Sequence, residues 1–482
     1  MDHPVYAAPP PEPPPTPPPA APAPRACDPA AAALGNASLL GVGYLMLGRR
    51  RLALAAVLVT IVLVSVLVSV ARTWFEVLVL LWWAAVIAHG WFLARGRGDA
   101  GNAVRRQRLI ALGVTVVVLL AVGLLRFDAS RIHHSVTEAR ESGDCARVLS
   151  AHGRVWIGVR IADAPLTGRS DEAAHACRRL RAARTQLATG LTGDTGALKA
   201  GFATLGSVLD EPGNAKTVET VLNGFLGGLP AKDPCHTAAV TDWLRDRQPT
   251  HDALDRSAGI VGQTAPAALV GCGDSLMAAR AWASARTRYQ QLLDRYPGDQ
   301  LTSRARDGVK KATQTIELEN VRSLLDGSTD DQPAYCSKPA KYSGAASYGK
   351  GTNRALFYGN DTYRKKLPGS WRTTDPAHAV LVICAGERHY GSTVQRCPYR
   401  SKFGTGSLTY VAFHKIAIPV KVYELRTGKR VAKRDIQISG ATCPRVIHYT
   451  TYAGLDAGPP SKQYVKASES DVRAGFRSLI KR

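Results

Sequence analysis

Three stretches of the chain carry almost no charge and are too long and too apolar to be ordinary surface elements. They are Leu52 to Val70, Trp74 to Leu93 and Leu109 to Leu125. Each holds about 17 to 20 residues, enough at ~1.5 Å per residue to cross most or all of a hydrocarbon core of ~30 Å. A segment in lipid must satisfy its backbone internally, so these runs read as transmembrane helices. Glu76 stands at the edge of the second run, within reach of water, and Trp74, Trp82, Trp83 and Trp91 suit interface or packing positions.

A weaker run, Ala30 to Leu47, precedes them. It ends Gly41-Val42-Gly43-Tyr44-Leu45-Met46-Leu47-Gly48 and then Arg49, Arg50 and Arg51. Glycines around a tyrosine followed by a basic stop resemble the turn of small bacterial membrane hairpins, including TM2-like domains. That resemblance implies a short helix, a glycine turn and a basic cluster at the membrane face. A fourth span and a re-entrant or surface segment both fit. Residues 1–29 form a Pro-rich tail expected to be disordered, with no signal-peptide pattern. The chain is rich in Ala, Arg and Gly and poor in Met, and as a whole it resembles actinobacterial-type membrane-anchored proteins.

Orientation follows from the arginines. Arg49 to Arg51 precede the first span, and Arg95, Arg97, Arg105, Arg106 and Arg108 separate the second from the third; only Arg72 lies between the first two. The two clusters belong on the cytoplasmic side, so the chain emerges outside at about residue 127. The expected location is the plasma membrane, multi-pass, with the C-terminal region extracytoplasmic. Cysteine usage agrees with an oxidising compartment. Cys145, Cys177, Cys235, Cys272, Cys336, Cys384, Cys397 and Cys443 all follow the spans and form an even set, with Cys27 left over upstream. The hairpin pattern predicts Cys145 with Cys177 and Cys235 with Cys272, leaving the last four to pair among themselves.

Residues 127–326 read as helical. Asp171 to Leu187, Lys216 to Leu226 and Pro234 to Arg247 are predicted helices, the last opened by Asp233 as N-cap and Pro234 at the first helical position. From Pro266 to Asp299, Gly273, Ala285, Tyr289 and Pro297 stand at the small, small, aromatic and helix-ending offsets of a two-helix repeat. This segment resembles a tetratricopeptide repeat, although Leu269, Leu276 and Leu292 depart from the usual residues. The resemblance implies a scaffold that binds a protein partner, with divergent helical hairpins beside it.

Residues 331–482 differ in texture. Val380 to Cys384, Leu408 to His414, Ile416 to Glu424 and Arg430 to Ser439 alternate and are β-branched, with Arg426 to Lys429 as a turn and Ser468 to Lys481 as a closing helix. The fold class expected is therefore multidomain. It combines an α-helical membrane anchor at 30–126, an all-α TPR-like external domain at 127–326, and a small, mainly β (α+β), disulfide-bonded domain at 331–482. Most of the chain's net charge of +24 lies in this last domain. Gly344 to Lys350 nearly matches a phosphate-binding loop, but Gly351 stands where Ser or Thr is needed and no apolar strand precedes it. Cys384, His389 and Cys397 fit no zinc spacing, and His378, His414 and His448 have no triad context. No catalytic residue, cofactor or metal is expected, and no nucleic acid.

The pattern that survives is Lys and Arg interleaved with Tyr. The candidate anion-binding residues are Arg364, Lys365 and Lys366 together with Lys429, Arg430, Lys433 and Arg434, with Lys338, Lys341 and Arg426 nearby. A domain this basic favours anionic lipid or an acidic wall polymer. The function expected is a non-enzymatic, membrane-anchored envelope scaffold or binding protein. An envelope sensor or transporter accessory protein is the alternative, and a cell-wall-polymer enzyme a weaker one. The spans' lack of charge lowers the transporter reading.

Overall fold

The structure is a computed structural model that describes residues 28–70, 73–95, 101–326, 332–400, 408–450 and 458–482. The chain is mostly helical, with a β-sheet confined to its C-terminal part. It divides into two compact units, residues 1–229 with 243–260, and residues 230–242 with 261–482. The tail before residue 28 and Cys27 lie outside the described residues, as do Arg72 and Arg97.

The first unit opens with two short helices, α1 (Pro29–Ala37) and α2 (Val42–Met46). The weaker apolar run is thus broken, and neither piece is long enough to cross a bilayer. Leu39 and Gly41 take positive φ between them. The turn is held by buried Asn36, whose Oδ1 accepts from the Tyr44 amide at 3.1 Å and whose Nδ2 donates to the Val86 carbonyl at 3.2 Å. Three helices are long and apolar enough to cross a membrane. They are α3 (Arg50–Val70), α4 (Thr73–Ala94) and α5 (Gly101–Glu141). α5 does not stop where its apolar run ends at Leu125. It continues without a break, because Phe127 to Glu141 holds no Gly or Pro and offers Ala129, Ile132, Val136 and Ala139 as a buried stripe.

That stripe packs with α6 (Cys145–His152), α7 (Ile157–Ala162) and α8 (Ala164–Gly190) around Val148, Val159, Ala173 and Cys177. α8 begins seven residues before the predicted Asp171. Asp163 caps it by accepting from the Leu166 amide, and Pro165 sits in its first turn, a start signal the apolar stripe alone does not reveal. Helices α9 (Thr195–Leu209) and α10 (Ala215–Leu226) follow.

α11 (Pro234–Asp246) crosses the division, its residues up to Asp242 belonging to the second unit. There α12 (Val261–Ala278), α13 (Trp282–Arg295) and α14 (Thr302–Leu325) enclose a core of Leu269, Cys272, Ala285, Tyr289, Leu292 and Ala305. The Tyr289 ring is the centrepiece. It is buried, and its hydroxyl donates to Asp274 at 2.6 Å. A Cβ on Gly308 would stand 2.8 Å from the ring, and one on Gly273 only 2.5 Å from it, so both positions need the absent side chain.

The sheet is built around one long strand. The six strands are β1 (Ala355–Tyr358), β2 (Leu381–Ala385), β3 (His389–Arg400), β4 (Leu408–Glu424), β5 (Arg430–Ile438) and β6 (Lys462–Tyr464). β2 and β3 lie end to end along one side of β4, and β5 and β6 end to end along the other. β1 adds to β2 in parallel. The two strands expected over 408–414 and 416–424 are one. Val411 and Phe413 face the same core as Ile416, Ile418 and Val420, so the inward parity changes at His414–Lys415, which reads as a break in sequence. On this core face lie a four-residue helix, α15 (Asp361–Arg364), and the closing helix α16 (Glu469–Ile480). They bring in Tyr363, Val472, Phe476, Leu479 and Ile480. The other face covers Leu356, Tyr358, Val382 and Tyr423 with Val321 and Leu325 of α14, Tyr335 and Cys336.

Four cysteine pairs stand at disulfide distance: Cys145–Cys177, Cys235–Cys272, Cys336–Cys384 and Cys397–Cys443, with Cα separations of 5.3, 4.5, 5.9 and 5.8 Å. The first pair lies in the first unit and the other three in the second.

Candidate functional site

The predicted cations sit on separate elements, and strand geometry divides the second group. Successive side chains of β5 point to opposite faces. Ala432, Ile436 and Ile438 face the core with Arg434, whose Nη2 reaches Ser478 Oγ of α16 at 2.6 Å. Lys433 alternates to the other face, opposite Lys421 of β4. Lys429, Arg430, Lys433 and Arg434 are all exposed, but they do not form one surface. At α15, Arg364 and the following residue Lys365 both pair with Asp361, the Arg364 Nε at 2.7 Å, and so are partly neutralised. Lys366 donates to the Ala467 carbonyl at 3.3 Å and lies 6.0 Å from the Tyr363 ring centre.

The residue that sequence reading missed is Arg388. It lines a cleft of about 940 Å³ at the carboxyl ends of the parallel strands β1 and β2, together with Gln332, Asn360, Asp361, Tyr363 and Tyr464. Loops at the carboxyl ends of adjacent parallel strands are a recurrent place for ligands. Two turns open this cleft. Gly359 and Asn360 both have positive φ, and a side chain on Gly359 would collide with the Ala385 carbonyl. Asn360 then ties the two strand ends together, its Nδ2 donating to the Gly386 carbonyl at 3.2 Å. Residues 386–388 bridge the break between β2 and β3 and carry Arg388 into the opening.

Arg388 is held by two tyrosines. Its Nη1 donates to the Tyr363 hydroxyl at 3.2 Å, and its guanidinium lies 4.8 Å from the Tyr464 ring centre. Tyr464 in turn stacks on Tyr390 at 4.3 Å, and Tyr390 tilts against His414 at 5.3 Å. Among the described residues no carboxylate pairs with Arg388. A guanidinium whose plane is fixed by aromatic groups keeps its remaining donors aligned for a bidentate anion. Asp361, on the same cleft, is held below its ordinary pKa by Lys365 and then Arg364, so it is an acceptor. Glu387 lines the cleft as well.

A second hollow, of about 1050 Å³, runs along the end of β3 and the segment after Cys443, lined by Arg396, Arg400, Arg445 and His448. Arg396 and Arg400 lie on a strand, β3, that sequence reading did not identify, and Arg445 lies in the segment after Cys443. No group of His, Cys, Asp and Glu able to hold a metal ion occurs among the described residues. Gly344 to Lys350 lies in a loop.

Comparison of the chain with protein families, curated proteins and solved structures finds no match to any of them.

Proposed function

We propose that this protein is a multi-pass, membrane-anchored envelope protein whose residues 127–482 lie outside the cytoplasm and bind rather than catalyse. In this reading the helical part, with its TPR-like hairpin of α12 and α13, offers a scaffold to a protein partner. The basic sheet domain takes an anionic envelope component. The observation that carries the second half is Arg388, fixed by Tyr363 and Tyr464 in an open cleft with no carboxylate partner among the described residues. A carboxylated sugar polymer fits this site best. Arg388 would pair with the acid group, and Asp361, Asn360 and Gln332 offer hydrogen-bonding groups for hydroxyls. The basic surface around it adds a weaker, salt-screened attraction.

Two carboxylates on one cleft, Asp361 and Glu387, are what favours the wall-polymer enzyme as a second reading. Asp361 is poorly suited to donate a proton, because the cations beside it hold it ionised. The test is binding of the full chain, in neutral-lipid nanodiscs, to polygalacturonate and to a neutral glucan, with polymer length followed over time. Salt-sensitive binding of the acidic polymer without shortening supports the proposal. Equal binding of both polymers would overturn the anion reading, and shortening would favour the enzyme.

A further inference from the structure

The spans are not the first unit's only apolar surface. Among the described residues between Arg126 and Arg388, the exposed large hydrophobic side chains are Phe127, Trp156, Ile157 and Ile161. Three of the four belong to α7 and the residue before it. Ile157 and Ile161 are one helical turn apart and share a face, 71% and 48% exposed, with Trp156 beside them at 55%. The opposite side of α7 is ordinary core: Val159 is fully buried among α5, α6 and α8. Arg160, the helix's one charged side chain, is drawn away to Asp171 by two contacts of 2.9 and 3.0 Å.

The place of α7 in the unit says what covers this face. Arg126 ends the apolar run of α5, and it pairs with Glu76 in the first turn of α4. The same guanidinium lies 4.0 Å from Asp163, the residue that ends α7 and caps α8. α7 packs on α5 and reaches α3, which ends at Val70. The helix therefore lies level with the ends of all three candidate spans, where a bilayer would give way to water. Phe127 joins it at the same level, with Arg131 over its ring at 5.8 Å. Aromatic residues at such a level sit among lipid head groups, and a short amphipathic helix lies in the plane of the interface.

We infer that α7 is a membrane foot, with Trp156, Ile157 and Ile161 inserted into the head-group and upper acyl region of the leaflet beside the spans. This rests on the reading of α3, α4 and α5 as transmembrane. The foot gives the helices above the bilayer a second point of attachment, so that the part of α5 beyond Arg126 does not carry them alone.

The test uses the full chain with Cys27→Ser, reconstituted in phosphatidylcholine and phosphatidylglycerol vesicles and spin-labelled one site at a time. The sites are Ile157→Cys, Ile161→Cys, Ser150→Cys on the exposed surface of α6, and Leu119→Cys in the third span. The inference expects labels at 157 and 161 to collide with oxygen more than with a water-soluble nickel complex, as at 119, and the label at 150 to do the reverse. A lipid-like label at 119 with water-like labels at 157 and 161 would overturn the foot and leave the spans standing. A water-like label at 119 would overturn the spans and the foot together. Dipolar broadening between labels at 157 would place a second copy over the patch and also overturn it.

Discussion

Arg388 and Tyr464 lie 76 positions apart in sequence, yet the guanidinium of one stands 4.8 Å from the ring centre of the other. The contact joins the break between β2 and β3 to the short strand β6, which run along opposite sides of β4. Neither residue belongs to a basic run, so charge patterning alone passes over both.

The orientation of the anchor gives the first prediction. A phosphatase reporter that is active only outside the cytoplasm, fused after residue 130 on α5, should be active. The arginine clusters flank the other ends of the spans. A silent phosphatase with a working cytoplasmic reporter at the same point would reverse the topology.

Cysteine pairing gives the second. Non-reducing peptide mapping should recover Cys145 with Cys177, Cys235 with Cys272, Cys336 with Cys384, and Cys397 with Cys443. The second pair closes a loop with a sequence separation of 37. Replacing both of its cysteines with Ser should cost about 2–4 kcal/mol, seen as a lower midpoint in denaturant. Free thiols at these sites would contradict the pairing.

Tyr289 gives the third. Gly308→Ala brings a methyl group to 2.8 Å from a buried ring that neighbouring helices prevent from moving away. The expected loss is about 1–3 kcal/mol of stability in the second unit. An unchanged unfolding midpoint would show that the ring has room to shift.

The fourth concerns pH. Glu317 of α14 accepts from the Ser343 amide at 2.7 Å and hydroxyl at 2.5 Å, and pairs with Lys341 at 3.2 Å. Burial alone would raise its pKa, but Ser343 and Lys341 together outweigh burial and hold it below the ordinary value. A carboxyl lowered by folding contributes stability above its unfolded pKa and loses it as pH falls through the folded one. Glu317→Gln should therefore unfold more easily than the unaltered chain at neutral pH, and the difference should close below about pH 4. A difference that stays constant with pH would mean that the charge is not what holds this contact.

The three long apolar helices were legible because runs of about twenty apolar residues have few other uses, and the α12–α13 hairpin because small and aromatic residues recur at helical offsets. β5 and α16 were legible from alternation and from Ser468, which caps the helix reciprocally with Asp471. β3 was not. Its sequence holds Gly391 and Pro398, and most of its side chains are exposed, so it has no apolar face to read. β1 is four residues, all buried, and β6 is three, too short for a period. The candidate site was illegible for a related reason. It is assembled by strand ends that only the sheet brings together, whereas the runs at Arg364 to Lys366 and Lys429 to Arg434 were conspicuous but are paired off or split between faces.

The measurement that bears most directly on the account is the affinity of the full chain, in neutral nanodiscs, for polygalacturonate, compared between Arg388→Ala and the quadruple change of Lys429, Arg430, Lys433 and Arg434 to Ser. A charge-assisted contact of about 1.5–3 kcal/mol corresponds to roughly a 10- to 150-fold loss for Arg388→Ala. The quadruple variant should lose less and mainly at low salt, where exposed charges act at longer range. If Arg388→Ala binds as the unaltered chain does while the quadruple variant does not, the ligand is held by diffuse surface charge and the cleft has no part in it.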